Sequence, residues 1–224
     1  MKPLPRSFYL RPTLKVARDL LGKCIVRKIG SKLIIGKIVE VEAYCERDSA
    51  SHTFHGRSNR NEVMFGEGGH LYVYFTYGMH FCSNVVTGAE GAGEAVLIRA
   101  VEPLTGIEVM TKNRQKGRLH LSDGVFLNRA DLINLTNGPA KFCQAFGITR
   151  KENGADLCQS KESPARDRHL RSSASLATVT STIFIIDGTT IPLSLTGRSA
   201  RIGIRTALDK KWRFFVKGNP WVSR

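Results

Sequence analysis

The sequence predicts a mixed α/β (α+β) fold, one domain over residues 1–224 built on a largely antiparallel sheet. Three observations carry this. Strand-like runs of β-branched and aromatic residues recur along the chain. Helical patterns are too few for regular βαβ winding. A length of 224 residues, with 42% hydrophobic and 24% charged residues, is that of a globular chain able to bury its core unaided.

The elements follow in order. Residues 12–22, PTLKVARDLLG, read as a short helix: Pro12 suits the first turn, Leu14, Ala17, Leu20 and Leu21 make an apolar stripe, and Gly22 suits the stop. KCIVRKIGSKLIIGKIVEVEAY is a β-branched run punctuated by GSK, hence a hairpin whose second arm ends in GKIVEVEAY, Gly36 to Tyr44. Strict alternation there puts Val39, Val41 and Ala43 on one face and Ile38, Glu40, Glu42 and Tyr44 on the other. That second face is either solvated or the floor of a site. From Cys45 to His70 the chain is polar, small and glycine-containing. A loop longer than about 15 residues inside a compact domain is usually functional or disordered. LYVYFTYGMHFCSNVV gives two strand halves around Tyr77-Gly78-Met79, EAVLIRAVEP a buried strand, PLTGIEVMTKNRQK a helix, and NGPAKFCQAFGI a short helix opening at Gly138-Pro139. Cys158 to Ser175, rich in Ser, Arg and Lys, reads as an exposed excursion. LATVTSTIFII, ARIGIR and WRFFV are expected strands.

Charge narrows the partner class. Thirty-four Lys and Arg against nineteen Asp and Glu give +15, which favours a polyanion because each neutralised phosphate releases a counterion. No apolar run approaches the ~20 residues of a membrane span, and no long basic amphipathic helix stands out, so no membrane role is expected. The start, MKPLPRSFYLRP, lacks a signal peptide's apolar centre. Five cysteines, an odd number with no C-x-x-C, read as reduced thiols in the cytoplasm. His52 and His55 in HTFH have no ligand-spaced cysteines nearby, so no metal is expected. GAEGAGEA lacks the lysine of a phosphate-binding loop.

Several residues are candidates for chemistry. Tyr72 and Tyr74 share a strand face, and Tyr77 falls at the Tyr-Gly-Met bend. A tyrosine there is either an ordinary turn-flanking aromatic or, on a basic protein, a wedge that enters a duplex from the minor groove in place of a displaced base. Tyr44 and His52 offer further flat faces. Base stacking on such rings is worth about 1–3 kcal/mol, and a cationic alkylated base adds attraction to the ring quadrupoles. Ordinary cross-strand packing accounts for Tyr44 and Tyr74 as well. Glu42, near such a pocket, could take a proton from water or stabilise an oxocarbenium-like sugar. Arg99, ending an apolar strand, needs a carboxylate partner; Glu40 is either that partner or a like charge tuning Glu42. Asn84 interrupts an apolar run and is either a structural hydrogen-bonder or a group that admits one base and rejects another.

VEVEAY, SHTFHGRSNRNEVMFGEGGHLYVYFTYGMHFCSNVV, LIRAVEPLTG, NGPAKFCQAFGI and RFFVKGNPWVS run in one order across most of the chain. In these blocks it resembles the alkyladenine (3-methyladenine) DNA glycosylases, the mammalian-type family with bacterial members. The resemblance implies a compact domain on a curved antiparallel sheet, with a protruding β-hairpin that enters the DNA minor groove. It implies a monofunctional base-excision-repair enzyme that flips out alkylated purines and hydrolyses the N-glycosidic bond, leaving an abasic site. Glu42 would be the general base and Arg99 would help hold its water. Tyr44, His52 and Tyr74 would line the base pocket, Asn84 would crowd the exocyclic amine of guanine, and Tyr77 would be the wedge. No metal or cofactor is implied. The partner would be double-stranded DNA carrying damaged bases, bound by a cytoplasmic monomer, nucleoid-associated if bacterial. The pattern departs at His80, where mammalian members carry another aromatic, and at Cys158–Ser175 and RTALDKKW. A non-catalytic binding module and a bifunctional glycosylase/lyase are the rival readings.

Overall fold

In the computed structural model, which describes residues 1–76, 78–115, 128–159 and 181–223, the first helix and hairpin form where the pattern puts them. After a single turn, α1 (Arg6–Tyr9), helix α2 (Thr13–Leu20) buries Val16, Ala17 and Leu20. It stops at Gly22, whose φ of +82° suits glycine and whose Cα lies so close to the Thr189 carbonyl that a Cβ would collide with it. Strands β1 (Cys24–Ile29) and β2 (Lys32–Tyr44) make the hairpin. β3 (Leu71–Thr76) and β4 (His80–Thr87) form the second one, followed by β5 (Glu94–Thr105). Helices α3 (Ile107–Gln115), α4 (Arg129–Asn134) and α5 (Pro139–Phe146) come next, then β6 (Ser181–Ile186), β7 (Thr196–Ser199) and β8 (Arg213–Val216).

All strand pairings among the described residues are antiparallel, in the order β3-β4-β5-β2-β1-β6, and the sheet curls into a half-barrel. Strand β2 organises it. One edge pairs with β5. The other pairs with β1 through Lys37 and then with β8 from Glu40 to Glu42. Helices α2, α3 and α5 cover one face, where Ile38, Val41, Val85, Ile98, Phe142 and Phe146 make the main core. A smaller cluster of Met64, Tyr72, Val86 and Ala95 lies apart from it. The five cysteines are free, and no helix among the described residues is long and apolar enough to cross a membrane.

Three expectations need correction. Strand β5 continues through Pro103 to Thr105, so the helix after it starts only at Ile107. ARIGIR is not a strand: the Ile202 N–H bonds to the Glu42 side chain rather than to a ladder partner, and the nearby strand is β7, just upstream. The strict alternation along β2 also fails. The β2–β5 register slips at Val39 and again at Arg99, each an extra residue on its own strand. The first bulge turns Ile38 into the main core beside Val41 and Ala43 and leaves Glu40, Glu42 and Tyr44 outside that core. The wedge position, Tyr77, and residues 160–175 of the expected excursion lie outside the described residues. The β3–β4 hairpin is formed.

Where β2 passes beneath α5, close approach requires Gly36: a Cβ there would lie 2.9 Å from Val101 Cγ2 and 3.0 Å from Phe146 Cζ. Gly36→Ala is expected to cost about 1–3 kcal/mol through overpacking, read as a lower urea midpoint at unchanged m; an unchanged midpoint would show that the core yields freely.

Candidate active site

One register row crosses five strands: Tyr72 on β3 pairs with Asn84 on β4, Asn84 with Leu97 on β5, Leu97 with Glu42 on β2, and Glu42 with Arg213 on β8. Adjacent pairs add Tyr44 opposite Ala95 and Tyr74 opposite Cys82. Residues two apart on a strand share a face, so the sheet gathers Glu42, Tyr44, Tyr72, Tyr74, Asn84 and Leu97 on one side. Above them is a cavity of about 400 Å³, within the range that takes a small ligand. Tyr44, His52, Tyr72, Tyr74, Asn84 and Arg99 line it, and Ile202 to Thr206 close one side.

Glu42 is fully buried and does not itself line the cavity, but three groups that do are bonded to it. The Tyr44 hydroxyl donates to Oε2 at 2.8 Å, the Ile202 N–H donates to Oε1 at 2.7 Å, and Arg99 Nη1 lies 3.2 Å from Oε1. A carboxylate has about four acceptor positions; among the described residues three are taken, and the open one is on Oε2, beside Tyr44. Burial, reinforced by the Glu42 charge and hydrogen bond, pushes the Tyr44 phenol far up, so it stays a donor. Burial works against the charge on Arg99, but Glu42 and Glu40 outweigh it and hold the guanidinium protonated.

The bulge at Arg99 points its side chain between the two glutamates: Nε bonds Glu40 Oε1 at 2.9 Å while Nη1 meets Glu42. Glu40 is therefore a partner of Arg99, and it also accepts from Arg213 Nε at 2.6 Å. Asn84 is buried, and its amide reaches the Tyr72 carbonyl at 3.4 Å.

The long loop after β2 is pinned, which is how it delivers His52. The Asn61 amide donates to the His52 and Gly56 carbonyls at 2.8 and 2.9 Å and accepts from Ser58 N–H at 2.7 Å; Thr53 donates to the Gly93 carbonyl at 2.8 Å. His52 is an exposed residue, yet its ring meets Tyr74 edge-on with centroids 4.5 Å apart, and Nδ1 lies 3.1 Å from the Tyr72 hydroxyl. Desolvation of the ring, helped by the nearby Arg60 charge, lowers its pKa from 6.5 to about 4. Among the described residues no three His, Cys, Asp or Glu side chains gather as metal ligands would.

Two parts of the site escaped the sequence reading. One is the 202–206 wall. The other is Arg201, fully buried, which forks onto Asp48, donates to the Ala43 carbonyl at 2.9 Å, and sits 4.6 Å from the Tyr44 ring centroid and 5.3 Å from that of Trp212. Burial opposes ionisation of Asp48, but the Arg201 bonds prevail and hold its pKa below the usual carboxylate value. An aspartate and an arginine 153 residues apart carry no pairing signal in one sequence.

Comparison with known proteins is consistent with this geometry. The model of the family described as Methylpurine-DNA glycosylase (MPG) matches residues 7–220. The chain is 42% identical over 221 residues to a protein of Carboxydothermus hydrogenoformans, spanning 99% of this chain and 98% of that one. It is 41% identical over 228 residues to a protein of Methanocella arvoryzae, spanning 100% and 97%. A protein of Francisella tularensis subsp. tularensis is 41% identical over 212 residues, spanning 95% and 94%. All three carry the provisional name 3-methyladenine DNA glycosylase.

Two measurements probe the site's build. A histidine titration by NMR should place the His52 midpoint near 4. Because the folded value lies below the unfolded one, the contribution of this ring makes stability fall as pH drops from about 6.5 towards 4; a midpoint above 6 would mean a solvated ring. Asp48→Asn should cost about 3–5 kcal/mol by denaturant unfolding, because it leaves a buried guanidinium without its counter-charge. Glu62→Gln, which breaks the exposed pair with Arg57, should cost under about 1 kcal/mol. Similar losses in the two variants would remove the special weight given to the buried pair.

Proposed function

The chain belongs to the methylpurine-DNA glycosylase family, which makes it an enzyme of N-glycosidic bonds in DNA, and we propose that it releases alkylated purines such as 3-methyladenine from duplex DNA by hydrolysis. The observation that carries this reading is the buried Glu42 carboxylate, with one open acceptor position, beneath a cavity walled by Tyr44, Tyr74 and His52.

The +15 chain holds the duplex through its phosphates, and the damaged nucleotide turns out of the stack into the cavity. The base stacks among Tyr44, His52 and Tyr74; a positive charge on it is drawn to the tyrosine faces. Tyr77, between β3 and β4, fills the gap left in the duplex. The Asn84 amide, fixed by the Tyr72 carbonyl, crowds a purine 2-amino group and so disfavours guanine. A water bound at Glu42 Oε2 gives its proton to the carboxylate as its oxygen bonds the sugar anomeric carbon. The C–N bond breaks with its electron pair going to the base, so an alkylated cationic base leaves neutral and needs no proton from His52. Arg99 holds the carboxylate and its water in place. The products are the free base and an abasic site with the strand intact, and the reaction as written uses no cofactor.

Single-turnover release of 3-methyladenine from methylated duplex should fall by about 10²–10⁴-fold in Glu42→Gln, with DNA binding retained. Release by the variant at the wild-type rate would end the role of Glu42 as base; no release by wild type would end the substrate assignment.

A further inference from the structure

The block RFFVKGNPWVS takes no part in the reaction just described, yet its last residue reaches the charged floor of the site. The segment Asn219–Ser223 is tied down twice on the way: Asn219 Nδ2 donates to Glu102 at 3.1 Å, and the Trp221 indole N–H donates to the Leu132 carbonyl of α4 at 3.3 Å. Ser223 then meets Glu40 with both its donors. Its N–H lies 2.6 Å from Oε2 and its hydroxyl 2.8 Å from Oε1. The same hydroxyl accepts from Arg99 Nη2 at 3.2 Å, and the Ser223 carbonyl accepts from Arg213 Nη2 at 2.9 Å.

Each nitrogen of the Arg99 guanidinium thus has its own partner: Nε has Glu40, Nη2 has Ser223 and Nη1 has Glu42. The strongest pairing open to an arginine beside a buried carboxylate is the two-pronged fork. Glu40 would offer it to Nε and Nη2, and drawing Nη2 onto Oε2 would swing the guanidinium and carry Nη1 off its 3.2 Å approach to Glu42. Ser223 blocks that outcome. Its N–H occupies Oε2, its hydroxyl shares Oε1 with Arg99 Nε and Arg213 Nε, and its oxygen takes the guanidinium nitrogen that would have made the second prong.

We propose that Ser223 is a positioning residue of the hydrolysis, which by capping Glu40 directs Arg99 onto Glu42. This rests on the reading of Glu42 as the base. Ser223 touches neither base nor water and acts only through Arg99.

The test is single-turnover release of 3-methyladenine from methylated duplex by the full chain, at saturating enzyme. It compares wild type, Ser223→Ala, Ser223→Thr, Arg99→Lys and the Ser223→Ala/Arg99→Lys double variant, with affinity for a duplex carrying a tetrahydrofuran abasic analogue measured for each. Ser223→Ala should slow release by about tenfold or more, since a small misplacement of a catalytic group is costly, while affinity for the abasic duplex stays within about twofold. Ser223→Thr keeps the hydroxyl and should restore the rate. On the Arg99→Lys background, which lacks the fork, removing the hydroxyl should cost under about twofold, the non-additivity expected of residues acting as one unit. The proposal is overturned by a wild-type rate in Ser223→Ala, by a threonine variant as slow as the alanine, by equal loss of abasic-duplex affinity, or by an undiminished effect on the lysine background. Wild type that releases no base, or Glu42→Gln as fast as wild type, would sink the underlying reading and this proposal with it.

Discussion

Two carboxylates, Glu40 and Glu42, lie fully buried on one strand, and the architecture around them answers to the cost of putting them there. An unpaired buried carboxylate would take up a proton or unfold the site, since its desolvation is worth several kcal/mol. Arg99 and Arg213 bring the formal charge of the group to zero and share the two acids unequally: Arg99 spans both, while Arg213 serves Glu40. The paired bulges in β2 and β5 let this happen without breaking the ladder. One turns the glutamates away from the core, and the other lifts Arg99 between them. Strand β8 and the segment after it then supply the rest, so the end of the described chain completes a site begun in its first hairpin.

The two acids are thereby made different. Glu40 accepts four hydrogen bonds, from Arg99, Arg213 and both donors of Ser223. Glu42 is held by one cation, one amide and one phenol among the described residues, which leaves one of about four acceptor positions open, on the side of the cavity-lining Tyr44. The difference lies in the count of donors and not in burial, since both side chains are fully buried. The aromatic walls rest on the same floor. Tyr44 is anchored to Glu42 and packed against Arg201, and Arg201 in turn holds Asp48 and the strand end at Ala43. The 202–206 wall follows directly from Arg201, which ties the closure of the cavity to the placement of the Glu42 carboxylate.

What could be read from the sequence depended on range. The helix at Thr13–Leu20, both hairpins and the helix opening at Pro139 follow from local periodicity and punctuation, and the structure has them at those places. Residue chemistry and family resemblance single out Tyr44, His52, Tyr74, Asn84 and Arg99, and all five line one cavity. Alternation alone misled in β2, because a bulge changes parity without leaving a mark in composition. It misled again at ARIGIR, where an alternating apolar pattern belongs to a wall whose amide is bonded to a side chain instead of a neighbouring strand.

Composition and short-range pattern settle the strand-rich class, the net positive charge and the residue types at the site, since each depends on neighbours within a few positions or on none. Tertiary structure decided how those residues divide the work. Glu40 and Glu42 are two positions apart and indistinguishable by local pattern; their surroundings differ because Ser223, 183 residues beyond Glu40, donates to one of them, and Ile202, 160 residues beyond Glu42, donates to the other. Hydrogen bonds of that reach exist only once the sheet has curled and brought its far strands together, so no reading of the chain in one dimension could assign them.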